Sequence, residues 1–206
     1  DFDGVLFDIA RHKREYFRLF EKRGISRREA RKVYDEMKRA IGKDDQKYYV
    51  ARLRERGLRL SLAEAMRAIR EFKGRSAPCV YKEASFFLSA LKRLGFELHL
   101  VTSGDKILQK QKVMTSGLAQ YFDVIHILDG NDKASIVRKH SDRRAFSFFL
   151  DDRASLAESV KNNLPYVRVL HMVRGRSGEV PSKLADAVVR NLREALRCVK
   201  KLESRI

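Results

Sequence analysis

The strongest limit on the fold comes from the last two thirds of the chain, where short apolar runs alternate with amphipathic stretches. Runs rich in β-branched and aromatic residues occupy 97–101, 124–128, 146–150 and 166–170. Helical spacing of apolar residues fills 83–94, 106–116, 133–140 and 155–162, and Pro181 and Ser182 open a last predicted helix running to about residue 201. Parallel strands need long crossovers, and a helix is the usual one. The pattern therefore predicts an α/β core, a three-layer, doubly wound (Rossmann-like) parallel sheet with helices on both faces. In such sheets chemistry gathers beyond the carboxyl ends of the strands.

Residues 9–76 read differently. They are intensely basic, and apolar residues recur there at helical rather than alternating spacing. Four helices are predicted, at 9–23, 26–41, 45–56 and 61–74. Ser26 with Glu29 and Ser61 with Glu64 supply the S-x-x-E pattern that satisfies free N–H groups at a helix start. The expected organisation is an α/β core built from residues 1–8 and 77–206, with a small all-helical cap formed by 9–76.

The chain has 206 residues and carries 45 basic against 27 acidic side chains, a formal net charge of +18. That field attracts polyanions: phosphorylated metabolites, nucleic acid or anionic surfaces. No Arg-Gly-Gly tract, zinc-finger spacing or aromatic pattern of an RNA-binding module narrows this choice. No apolar run is long enough to span a bilayer, so no membrane association is expected. Cys79 and Cys198 stand far apart without a CxxC partner, which argues against a thiolate zinc site and for a reduced, cytoplasmic protein. None of the five histidines has a neighbour at metal-ligand spacing, and His99 reads as a structural residue of a buried strand.

Polar clusters occur where the predicted strands end. Asp1 and Asp3 open the chain in Asp1-Phe2-Asp3-Gly4-Val5-Leu6, Thr102-Ser103-Gly104 follows the 97–101 run, and Asp151-Asp152-Arg153 follows 146–150. Lys133 starts the helix after 124–128. Four compatible clusters in order suit phosphoryl transfer. A carboxylate attacking a phosphate dianion needs a bridging divalent cation and fixed donors to overcome repulsion. Asp1 and Asp3, two apart, would share one face of an extended segment. Gly4 would permit the departure that lets one attack while the other protonates the leaving oxygen. Asp151 and Asp152 would add oxygen donors for magnesium. Thr102, the Ser103 N–H and Lys133 would hold phosphoryl oxygens, with Lys112 the alternative to Lys133.

These motifs resemble those of the haloacid dehalogenase superfamily: D-x-D-G-[TV]-L at Asp1 to Leu6, an apolar strand ending at Thr102, a helix-borne lysine at Lys133, and an acidic pair at Asp151-Asp152. The likeness runs from Asp1 to about Leu170, and a helical insert after the first motif is one of that family's cap arrangements. It implies Asp1 as nucleophile and Asp3 as general acid/base, Asp3 also offering its carbonyl to Mg2+. It implies Asp152 as a direct metal ligand and Asp151 as one through water. Members that move no phosphoryl group, such as the dehalogenases, lack an acid at the position of Asp3, so the resemblance favours a phosphatase. The expected substrate is a small phosphorylated metabolite or nucleotide. The alternatives are a nucleic-acid end phosphatase, which the Asp-Asp-Arg run and the +18 charge suggest, and a non-catalytic protein that holds RNA or a partner on the basic cap. The resemblance also predicts a central strand before Asp1, seated between 97–101 and 146–150.

Overall fold

The structure, a computed structural model, describes residues 1–42, 44–175 and 180–204. Helices α1 (Ile9–Arg18), α2 (Arg27–Ile41), α3 (Gln46–Glu55) and α4 (Leu62–Lys73) come first. Then follow α5 (Ala84–Arg93), β1 (His99–Ser103), α6 (Lys106–Thr115), β2 (Val124–Leu128), α7 (Lys133–His140), β3 (Phe148–Asp151), α8 (Ala154–Asn163), β4 (Arg168–Met172), β5 (Ala187–Val189) and α9 (Leu192–Glu203).

Each of the first helices starts where its sequence offers a cap. The Ser26 hydroxyl accepts the Glu29 N–H, the Asp45 carboxylate accepts the Tyr48 N–H, and Ser61 and Glu64 form a reciprocal capping box. The apolar stripes then close on one another: Phe17, Phe20, Val33, Met37, Tyr49, Leu53 and Ile69 are buried in a core separate from that of the sheet. Fully burying a side chain of this size is worth roughly 1.5–3 kcal/mol, which supports helices too short to persist alone. The Tyr49 hydroxyl finds the Ala30 carbonyl at 3.0 Å. Helix α1 stops at Arg18 rather than 23, because a tighter turn over Glu21–Arg23 carries Phe20 and Ile25 together into this core.

All strand pairings are parallel, with Ser103 opposite Leu128 and Asp151 opposite His171. Alternate side chains explain why both faces are covered. Phe149 and Val169 pack with Ala157 and Val160 of α8. Leu150, Leu170 and Met172 pack on the opposite face with Phe87 and Leu91 of α5 and Leu192 and Ala195 of α9. This is the α/β three-layer arrangement that the alternation predicted. The strands end up to two residues later than the apolar runs suggest, since the ladders continue into Thr102, Ser103 and Asp151. The single helix predicted from Pro181 is a correction. Residues 187–189 are β5, paired with β4, and α9 begins only at Leu192, where the Asn191 side chain accepts the Glu194 N–H.

The sheet is divided, with β1–β2 in one part and β3–β4–β5 in the other. Between β1 and β3 lies a cavity of about 530 Å³ lined by Val5, Leu6, Leu91, Leu98, Leu100 and Phe148. The division falls where the sequence predicted a further strand. At its carboxyl end the Asp1 nitrogen donates to the Leu150 carbonyl at 2.8 Å, so residue 1 lies alongside β3.

Candidate active site

Residues 1–8 make a tight loop. Leu6 and Phe7 both donate their N–H groups to the Phe2 carbonyl, at 2.9 and 3.0 Å, and Gly4 donates to the Phe7 carbonyl at 2.9 Å. Gly4 has φ +79°, and a β-carbon there would lie 1.8 Å from an Asp152 carboxylate oxygen. Position 4 is thus closed to side chains twice, by backbone conformation and by the acid packed on it. Arg174 clamps the loop from outside. Its guanidinium donates to the carbonyls of Gly4 (3.1 Å) and Val5 (2.7 Å) and to Glu83 (3.0 Å), and lies over the Tyr81 ring at 3.5 Å.

This loop sets Asp1 and Asp3 among different partners. The Asp1 carboxylate lies 2.7 Å from Lys133 Nζ, which also donates to Asp151 at 2.7 Å. Lys133 is 1% exposed and Asp151 fully buried. Burial pulls the lysine's pKa down, and Asp151 opposes that pull. Lys133 owes its place to α7, which starts at that residue because the Asp132 carboxylate caps Ser135 N–H. Asp151 closes β3 and accepts the Arg153 N–H at 2.9 Å. Oxygens of Asp1, Asp151 and Asp152 lie within 4.8 Å of one another.

Asp3 faces α6. Lys112 Nζ reaches both of its oxygens, at 2.6 and 2.7 Å, and the Gln109 amide donates to it at 3.1 Å. The same amide nitrogen donates to Thr102 Oγ1 at 2.7 Å, joining the end of β1 to Asp3. The Ser103 hydroxyl is buried beside them with no hydrogen-bond partner among the described residues. Both candidate lysines therefore reach the site, Lys133 at Asp1 and Lys112 at Asp3.

A cleft of about 630 Å³ opens from Asp3 toward the helical region, lined by His12, Lys13, Lys73, Ser103 and Lys112 among others. Of the basic cluster at 11–14, His12 and Lys13 line this cleft, while Arg11 and Arg14 are exposed. His12 packs against Phe7 and Phe72 at ring-centre distances of 5.2 and 4.8 Å. Burial, and then Lys112, push its pKa down to about 4. Burial likewise lowers the pKa of Lys73. Sequence reasoning missed Gln109 and Arg174. Gln109 lies one helical turn before Lys112, a spacing that could have marked it, whereas Arg174 is 170 residues from Gly4 and left no local signal.

The acidic cluster fits magnesium. Three carboxylates offer hard oxygen donors, Lys133 neutralises only part of their charge, and the bare Gly4 leaves room against Asp152. A family model for haloacid dehalogenase-like hydrolases matches residues 1–151. The chain belongs to this family.

Among solved structures, this haloacid dehalogenase-like hydrolase is similar to magnesium-bound YfnB from Bacillus subtilis, described as a HAD-hydrolase. The two share 18% identity over 96% of this chain and 95% of that one, with a TM-score of 0.65. A HAD phosphatase from Thermococcus onnurineus is 23% identical over 97% and 95% of the two chains, TM-score 0.55. L-2-haloacid dehalogenase from Xanthobacter autotrophicus is 17% identical over 97% and 96%, TM-score 0.63. At these identities the common property is the fold. No curated protein matches the chain in sequence.

Proposed function

We propose that this hydrolase is a magnesium-dependent phosphomonoesterase that works through an aspartyl-phosphate on Asp1. The observation that carries the reading is Asp3, an acid held on both oxygens by Lys112 and on one by Gln109, facing the cleft next to the Asp1 cluster. Displacement of a halide needs no proton for its leaving group, whereas an alkoxide leaving from phosphorus does. Asp1 attacks phosphorus with the carboxylate oxygen that Lys133 does not engage. The proton shared between Lys112 and Asp3 passes through Asp3 to the departing oxygen, and the water that hydrolyses the acyl phosphate restores it. Thr102, the Ser103 N–H and Lys133 hold the phosphoryl oxygens as charge builds on them. Asp152 would ligate magnesium directly and Asp151 through water, with Asp1 and the Asp3 carbonyl completing the set. The ion would supply the positive charge that offsets repulsion between a dianion and Asp1.

A cleft closed on one side by the helical cap favours a small phosphorylated substrate. The +18 charge favours a second reading, removal of phosphate from nucleic-acid ends, which predicts activity on oligonucleotides that falls steeply with salt.

Hydrolysis of an aryl phosphate in the presence and absence of Mg2+ tests the proposal. Turnover should require the ion, and Asp1→Asn should lower it by about 10⁴-fold. Asp3→Asn should lower it by roughly 10²–10⁴-fold. Cleavage of a 2-haloacid with no phosphate release would overturn the reading.

A further inference from the structure

Away from the acidic cluster, three histidines that are far apart in sequence meet on one face of β1 and β2. His99 begins β1, His126 lies in β2, and His140 ends α7. In the parallel register His99 is opposite Val124 and Val101 opposite His126, so the two histidines point to the same face. Ring centres are 5.8 Å apart for His99 and His126, 4.4 Å for His99 and His140, and 4.9 Å for His126 and His140. One nitrogen from each ring lies within 4.8 Å of the other two.

The hydrogen bonding leaves ligand atoms free. His99 Nε2 contacts Glu97 Oε1 at 2.7 Å, which fixes the proton on Nε2 and leaves the lone pair on Nδ1. That Nδ1 is buried and has no hydrogen-bond partner among the described residues, and the same is true of His126 Nε2. Leaving these two buried ring nitrogens unpaired is costly in an apo protein, and both costs vanish if their lone pairs share a cation, with the His126 proton on Nδ1. The pairing of Glu97 with His99 is the carboxylate–imidazole arrangement that orients metal-bound histidines.

We propose that His99, His126 and His140 form a second metal site, for a divalent first-row transition ion that prefers imidazole, with zinc the type case. A tetrahedral ion at about 2.1 Å from each nitrogen needs nitrogens about 3.4 Å apart, so small side-chain rotations close the site. The fourth position is left for water. His140 also stands at the carboxyl end of α7, where the helix dipole favours a cation. Lys133 stands at the other end of this helix, about 10 Å away at 1.5 Å per residue. The metal would tie β1 and β2 to the helix that presents Lys133 to Asp1.

The test is a titration of tag-free, chelator-treated full chain with Co2+ and Zn2+ in excess Mg2+, which saturates oxygen sites and leaves imidazoles available. Co2+ should bind one per chain and develop the visible absorption of a nitrogen-ligated, four-coordinate ion, and Zn2+ should displace it. His140→Ala, at an exposed helix end, should keep the thermal midpoint of the chelator-treated protein and lose the spectrum, with affinity down more than roughly tenfold. Asp152→Asn should keep it, which separates this site from the acidic cluster. Absence of binding, unchanged binding in His140→Ala, or loss of it in Asp152→Asn would each overturn the proposal.

Discussion

The two lysines of the site stand in contrasting surroundings. Lys133 is sealed in the core, shared by Asp1 and Asp151, and fixed by the start of α7. Lys112 lies at the cleft, pairs with Asp3, stands over the Phe2 and Phe7 rings, and shares its surroundings with His12 from the helical region. The buried half of the site is built to keep three carboxylates in place, so its geometry is part of the fold. The cleft half is lined by residues of helices α1–α4 as well as by α6, so its geometry depends on how those helices pack beside the sheet.

Replacing Lys133 by Met should show the largest effect. Breaking a buried ion pair by removing one partner typically costs about 3–5 kcal/mol. Denaturant unfolding should reveal that loss without Mg2+, and activity should disappear with it. A smaller loss from Lys133→Met than from Lys112→Met would break the contrast. Gly4→Ala should come next, at about 1–3 kcal/mol, since it combines strained backbone with a clash on Asp152. Weaker Mg2+ binding by calorimetry is the accompanying sign. Lys112→Met should cost less stability than Lys133→Met, since this pair keeps some exposure, yet lower kcat by roughly 10–100-fold because Asp3 loses its anchor.

The smallest effect concerns pH. His12 titrates near 6.5 when unfolded and at about 4 when folded, so between those values only the unfolded chain holds the proton. Its contribution to stability is complete above pH 6.5 and is lost as pH falls toward 4. His12→Phe, which keeps the packing on Phe7 and Phe72, should flatten stability across that window in thermal melts. An unchanged slope would show that the cleft half is wetter than the ring packing implies.

Much of this was legible in sequence, because the alternation of apolar runs and helices is a local signal that the parallel pairings preserve. The candidate-site motifs were legible because they follow apolar runs or open a helix: Thr102 and Asp151 lie at or next to the ends of β1 and β3, and Lys133 starts α7. What sequence did not show depends on distant contacts. A three-residue strand such as β5 is too short to display a period, and only its pairing with β4 defines it. The exact ends of β1 and β3 are set by ladders that run on into polar residues. His99, His126 and His140 carry no common spacing, and only the register of β1 on β2 and the packing of α7 bring them together.

The excess of basic side chains has a colloidal consequence. Copies carrying +18 each repel one another, and that repulsion extends only about 10 Å in 0.1 M salt. Raising ionic strength should therefore let copies of this chain approach one another while it weakens any hold on nucleic acid. Light scattering across a salt series would then move in the opposite direction to polyanion binding.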